Sequence, residues 1–284
     1  MSRSPLRIGI CADDFGLSAA VNEACLNLAG AGRLSALSCM STAPAWAAGA
    51  AALRSCACAT RLDKGLHLNL TEPFALTRWH RPLGALIASA YLGLLPAARL
   101  REEIAAQFDA FEDAMGCAPD FVDGHQHVHQ LPRVRELLLN ELLRRYPERR
   151  PWLRNTAPPA RRAHGTEAAA AGARKQRLIA ALGATGLAGM ARAIGYPQNR
   201  ELVGVYAFDG TAADYAARLQ RWCAELGEGG LLMCHPAAAA PAGTADPIAA
   251  ARMREYEVLR GGHFGQLLRE RGLAVARLSD SLRV

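Results

Sequence analysis

Apolar and polar positions along this chain alternate between two periods, and each switch marks an element. Residues 6–12 form a near-continuous apolar run, the pattern of a strand buried on both faces. Ser18 offers an N-cap to a helix whose apolar face is Val21, Ala24, Cys25 and Leu28, and Gly30 and Gly32 end it. Residues 34–40 read as a second strand. Leu66, Leu68 and Leu70 alternate with Gly65, His67 and Asn69, which places His67 and Asn69 on one face of a third. Leu100, Ile104, Phe108, Phe111 and Met115 have helical spacing. Phe121 and Val122 end a fourth strand at Asp123, and Pro132 opens a helix through Val134, Leu138 and Leu142. Trp152-Leu153-Arg154, residues 202–208, residues 231–234 and residues 273–278 are the fifth to eighth strands. Tyr215, Leu219, Trp222 and Leu226 mark one late helix and residues 253–259 another. Residues 85–95 read as a short core or surface helix, and residues 157–174 and 237–243 as low-complexity surface loops.

Neither an internal repeat nor a linker interrupts this alternation, so residues 1–284 are expected to form one α/β domain. A doubly wound sheet and a (β/α) TIM-like barrel of seven or eight strands, regular or distorted, both fit. One observation favours the barrel. Asp13, Asp14, His67, His125, Arg154 and His235 all follow predicted strand ends, which converge on one face only when the sheet closes.

Composition adds exclusions. The formal charge of +7 rests on arginine, since Lys64 and Lys175 are the only lysines. Arginines 144, 145, 149, 150, 154, 161 and 162 crowd one region, either as a solvated helix C-terminus or as an anion site. The pattern of aromatic and basic residues suggests no nucleic-acid platform, so nucleic acid is not expected as a partner. The eight cysteines include no CxxC pair, and Cys56-Ala57-Cys58 is a weak metal signal; the pattern suits a reducing cytosol. Neither a signal peptide at the N-terminus nor a bilayer-spanning segment is expected.

Two adjacent carboxylates at a buried strand end are costly unless a cation holds them. Asp14, His67 and His125 supply one carboxylate and two imidazoles, a set suited to one divalent ion such as Mg²⁺ or Zn²⁺. Asp13 could take a proton from the bound water, and His235 could donate one to a leaving group. Arg154 could hold Asp13 ionised or contact substrate. In an extended run, His125, His127 and His129 would project to one side. His127 and His129, with Asn69, are then expected to contact substrate or to support a ligand from behind. Duller readings exist: either aspartate could cap the next helix, though Ser18 is better placed, and His235 before Pro236 could be a turn residue. A Gly-x-Ser-x-Gly elbow and a glycine-rich phosphate loop are both absent.

Three segments carry a resemblance. Ala12-Asp13-Asp14-Phe15-Gly16-Leu17-Ser18 with Val21-Asn22, then Gly65-Leu66-His67-Leu68-Asn69-Leu70-Thr71-Glu72, then Asp123-Gly124-His125-Gln126-His127-Val128-His129 with Pro132 resemble the YdjC-like carbohydrate deacetylases. That family includes chitooligosaccharide deacetylases and a hopanoid-biosynthesis-associated branch. Weaker matches are Glu103 to Gln107, Leu153-Arg154, Cys234-His235-Pro236 and Arg252 to Leu259. The resemblance implies a (β/α) barrel, a divalent ion on Asp14, His67 and His125, Asp13 as base, and removal of an N-acetyl group from an amino sugar. It departs after His235-Pro236, where the family often has glycine and this chain has Ala237.

The acceptor would be a soluble oligosaccharide or a lipid-linked amino sugar. A lipid-linked substrate would bring peripheral contact with the inner membrane surface to an otherwise cytoplasmic protein. A homodimer is expected. The competing classes are a metal-dependent phosphoesterase or cyclic-amide hydrolase on a related barrel, and a sugar-binding protein without catalysis.

Overall fold

The last eight residues of the first strand, β1 (Leu6–Phe15), are buried without exception, and a strand buried on both faces must lie at the centre of a sheet covered by helices. That is its position in the computed structural model, which describes residues 4–74, 77, 79–160, 167–240 and 246–282. On one side of β1 run β2 (Ala36–Cys39), β3 (Asp63–Leu68), β4 (Phe121–Gly124) and β5 (Trp152–Leu153). On the other run β7 (Leu231–Cys234) and then β6 (Leu202–Val203), giving the order β5-β4-β3-β2-β1-β7-β6, all parallel. The eighth strand, β8 (Leu273–Val275), pairs with the base of β1. Leu6 N–H bonds to Gly272 and Ile8 O accepts from Ala276, while Ile10 O accepts from Ser35. These alternate residues face one edge, so β8 sits below β2 on the same side of β1.

Among the described residues no ladder joins β5 to β6. Irregular chain bridges them instead, with Leu153 N–H on Pro197 O at 2.9 Å and Leu202 N–H on Ala157 O at 2.8 Å. The result is the distorted TIM-like barrel that the sequence predicts: a curl of seven strands with the eighth wedged at its foot.

Period-two alternation sorts the side chains. Ile8, Ile10, Ala12, Leu66, Val122, Leu153 and Leu232 face the helical shell. Cys11, Ala36, Phe121, Trp152, Leu231 and Met233 fill the interior. Phe121 stacks on Trp152 at 4.2 Å between ring centres. Gly65 makes room for them, since a Cβ there would lie 2.4 Å from the Phe121 ring. Two residues further along each strand the inward positions become polar: Asp13, His67, Asp123, Arg154 and His235. The apolar plug is therefore the floor of a polar layer at the C-terminal rim.

The helical shell follows the predicted faces in α1 (Ala19–Gly30), α4 (Ala97–Met115), α5 (Val134–Arg145), α8 (Ala212–Glu225) and α9 (Ala249–Arg260). Ser18 caps α1 by accepting from Val21 N–H at 3.2 Å. The short helix predicted over 85–95 is α3 (Leu83–Tyr91), and α2 (Trp46–Ser55), α7 (Ala184–Ala193) and α10 (Gly262–Glu270) were not predicted.

Four expectations are corrected. Part of the loop expected over 157–174 is helical, because α6 (Glu167–Ala181) begins at Glu167; its alanines favour a helix where composition suggested a surface loop. Residues 161–166, within that segment, and 241–243, within the second loop, lie outside the described residues. The sixth strand stops at Val203, because Gly204 turns to φ 107° against the Met233 carbonyl, where a Cβ would approach to 2.2 Å. The histidine run is not extended: His125–Gln130 is a 3-10 turn with Gln126 and His127 at φ 53° and 61°. Cys56 and Cys58 are joined in a disulfide, whereas the sequence reading gave them as a weak metal signal in a pattern suited to a reducing cytosol. The arginine cluster is largely self-neutralised. Arg144 and Arg145 pair with Glu141 at 2.6 Å, Arg149 pairs with Asp120, and Arg150 bonds the Ile194 and Gly195 carbonyls.

Candidate metal centre and its cavity

Asp14, at the end of β1, has φ 66°, a left-handed conformation that costs a non-glycine residue of order 1 kcal/mol and clusters at functional sites. The twist turns its carboxylate away from Asp13 and toward the strands beside it. Asp14 Oδ1 lies 3.3 Å from His67 Nε2 and 3.0 Å from His125 Nδ1, and the three donor atoms fall within 4.8 Å of one another.

Each donor is held from behind. His67 Nδ1 is 2.7 Å from Asp123 Oδ1 and 2.7 Å from Ser38 Oγ, which also donates to Asp123. That partner holds a proton on Nδ1, so loss of the Nε2 proton would leave the Nε2 lone pair for a cation. The pairing follows from register, because His67 lies opposite Asp123 where β3 meets β4. His125 Nε2 faces Glu72 Oε1 at 3.4 Å, and Arg252 donates to Asp14 Oδ2 at 2.7 Å while its Nε is held by Asp246. Two imidazoles and one monodentate carboxylate oxygen, each oriented by a partner, fit a single divalent cation.

Asp13 lies on the other side. Arg154 grips it with both guanidinium branches, at 2.6 and 2.7 Å, and reaches Asp123 Oδ2 at 2.6 Å. The cluster Cys11, Asp13 and Asp123 is thus filled by a guanidinium and is no second cation site. Burial alone would raise the Asp13 pKa, but Arg154 outweighs it and holds the carboxyl well below the usual range. Burial opposes ionisation of Asp14 as well, and Arg252 with the two histidines overcomes it. For His67, burial favours the neutral ring, yet Asp123 and Asp14 push the pKa up to about 10.

The residues assigned to substrate contact or support separate by depth. Arg154, His129 and Asn69 are fully buried. Arg154 holds Asp13 and lies outside the cavity wall. His129 donates from Nε2 to the Arg154 carbonyl at 3.0 Å, and burial lowers its pKa to about 4. Asn69 Oδ1 accepts from Thr71 and Glu72 N–H and so shapes the turn that presents Glu72. Only His127 reaches the cavity, brought there by its left-handed backbone; burial and Arg154 keep its ring neutral. His235 sits beside Asp13 in the cavity lining, Nε2 to Oδ2 3.9 Å, with its backbone N–H on Glu255 at 2.6 Å and its ring against Phe208. Fully buried Glu255 also accepts from Tyr206 and Tyr215.

Sequence reasoning left Asp123, Glu72 and Glu255 without roles and placed Arg252 only in a weak motif. The one signal was alternation, which puts Asp123 two residues beyond an inward aromatic.

The polar layer opens into a cavity of about 770 Å³ whose walls are chiefly apolar: Leu17, Leu83, Ile87, Leu131, Ile179 and Ile248 among them.

Because His67 is protonated in the metal-free protein, cation uptake must expel that proton. Affinity is therefore expected to rise about tenfold per pH unit between pH 7 and 9, with proton release visible by calorimetry in buffers of different ionisation heat. A pH-independent affinity would contradict the arrangement. The sign for folding is opposite. The metal-free protein has this stabilisation in full below about 6.5 and loses it as pH climbs to about 10.

Fold and site together define a parallel barrel with an aspartate–histidine–histidine cluster fit for a divalent cation at its C-terminal rim. The chain belongs to the YdjC-like protein family, whose model matches residues 7–270. It is 30% identical to a human protein named carbohydrate deacetylase over 155 residues, 50% of this chain and 47% of that one. It is 29% identical to a chitooligosaccharide deacetylase of Proteus mirabilis over 133 residues, 43% of this chain and 50% of that one. The chain thus spans about half the length of these curated relatives. A solved structure from Enterococcus faecalis, named for cellobiose-phosphate cleavage, superposes over 99% of this chain and 100% of its own with TM-score 0.67 at 20% identity, which shows the fold.

Proposed function

We propose that the protein hydrolyses the acetamide of an N-acetylated amino sugar, releasing acetate and a free amine, and that the sugar is borne on an apolar carrier. The observation that carries the reaction is that Asp13 and His235, 3.9 Å apart, line one cavity together with the Asp14–His67–His125 cluster. When bound there, a divalent cation supplies Lewis acidity and lowers the pKa of its water; the two-imidazole set suits Zn²⁺ or a similar ion better than Mg²⁺.

The chain's own residues do the rest. Arg154 keeps Asp13 ionised and in one rotamer, so a carboxylate is always ready to accept the proton of the attacking water. His235 is placed to give a proton to the departing nitrogen. Its backbone is anchored by Glu255, and its Nδ1 has no hydrogen-bond partner among the described residues. The relatives named as deacetylases of carbohydrates support the reaction class. The apolar walls support the carrier, because a free oligosaccharide would leave them wet.

Acetate release from octyl N-acetylglucosaminide and from N-acetylglucosamine oligomers tests both parts. The alkyl glycoside is expected to show at least about tenfold higher kcat/KM, the scale set by burying a few methylenes. Equal values would remove the apolar carrier. Release from neither, or phosphate release from a phosphoester instead, would remove the deacetylase.

A further inference from the structure

Three large apolar side chains stand in water at one corner of the molecule. Tyr91, Leu92 and Leu94 are 53%, 70% and 68% exposed, at and just past the end of α3. The turn that presents them is ordered. Gly93 takes a left-handed φ of 71°, and Leu92, Gly93 and Leu94 N–H return to the Ala88, Ala90 and Ser89 carbonyls, a glycine-closed helix end. Leu95 is buried and anchors the far side. These residues project because the cap holds them out, where solvation alone would favour polar side chains.

The corner adjoins the cavity mouth. Ile87 and Leu83, about one and two turns back along α3, line the cavity, and so do Leu178, Ile179 and Leu182 on and beside α6. Leu178 is itself 63% exposed. Around it α6 exposes Arg174, Lys175 and Arg177, and residues 168–195 contain no Asp or Glu. Arg99 and Arg101, followed by Glu102, are exposed on α4 just after the turn. Apolar tips beside arginines that have no acidic partner among the described residues match an anionic bilayer, whose headgroups take the cations while the acyl boundary takes leucine and tyrosine.

We infer that the α3 tip and the exposed face of α6 dock this protein on anionic phospholipid membrane, with the cavity mouth turned toward the lipid. The inference rests on the reading of an apolar-borne substrate and supplies its route of entry. It also differs from the arginine cluster after α5, whose described members are paired internally.

Vesicle sedimentation tests it without substrate, on the full chain. Binding is expected to vesicles of 70% phosphatidylcholine and 30% phosphatidylglycerol, to weaken with salt, and to be weak on pure phosphatidylcholine. L92S/L94S should lower partitioning at least about tenfold, and R174Q/R177Q should remove the salt dependence. Neither pair lines the cavity, so both variants should keep wild-type acetate release from octyl N-acetylglucosaminide in vesicle-free solution, which tests the deacetylase reading separately. Wild-type partitioning by L92S/L94S would overturn the proposal, as would absent binding at millimolar anionic lipid. A wild-type dimer that L92S/L94S turns into monomers, with no vesicle binding, would overturn it too and assign the face to a second copy.

Discussion

Asp13→Asn is expected to keep its cation and lose about 10²–10⁴-fold in kcat, the usual contribution of a positioned acid or base. The two halves of that result come from geometry. Asp13 is not among the converging donor atoms, which belong to Asp14, His67 and His125, so elemental analysis should find the cation still bound. The amide that replaces the carboxylate cannot accept a proton, while Asp123 still neutralises Arg154. KM should change little, because Asp13 meets substrate through water. His125→Ala is the contrast: it removes a donor atom and should lose the cation along with turnover. Wild-type kcat in Asp13→Asn would refute the base assignment, and loss of its cation would show that the carboxylate is a ligand.

Arg154→Met is expected to destabilise the fold by about 3–5 kcal/mol, the cost of stripping one partner from a buried ion pair. The guanidinium is fully buried between Asp13 and Asp123, and no water can replace its charge there. Acid should narrow the loss. In the native protein Asp13 is held below its unfolded value, so its stabilisation is present above about pH 4 and is lost as pH falls. Without Arg154, burial pushes Asp13 the other way, and the variant regains stability when the carboxyl protonates. Urea denaturation at pH 7 and pH 4.5 should show a smaller gap from wild type at the lower pH. Asp13→Asn should recover part of the loss when added to Arg154→Met, because the charge left unpaired is then gone. A pH-independent gap, or no rescue, would show that Arg154 contributes by packing alone.

Much of the architecture was legible because it is local. Continuous apolar runs marked β1 and β7, alternation marked β3, and Ser18 marked the start of α1, all from residues within a turn or a strand of one another. Legibility failed where backbone geometry depends on distant neighbours. The run of three histidines reads as a strand, yet positive φ at Gln126 and His127 folds it into a turn that sends His125 to Asp14, His127 to the cavity and His129 behind Arg154. Composition misled at α6, where alanine and glycine suggested a surface loop but the chain forms a helix along the cavity wall.

By itself, the sequence determined which chemistry the molecule carries. It placed carboxylates and imidazoles at the ends of buried strands, where strand length and period-two alternation force them to one rim. Only the tertiary structure decided how those groups divide. Parallel register set Asp123 behind His67, curvature of the sheet brought Arg154 to Asp13, and packing of α9 brought Arg252 to Asp14. Closure around the rim lined the cavity with leucine and isoleucine from helices far apart in the chain. The reason is physical: protonation and hydrogen bonding depend on distances of about 3 Å, and separations that small between remote residues are fixed by packing, which no local pattern encodes.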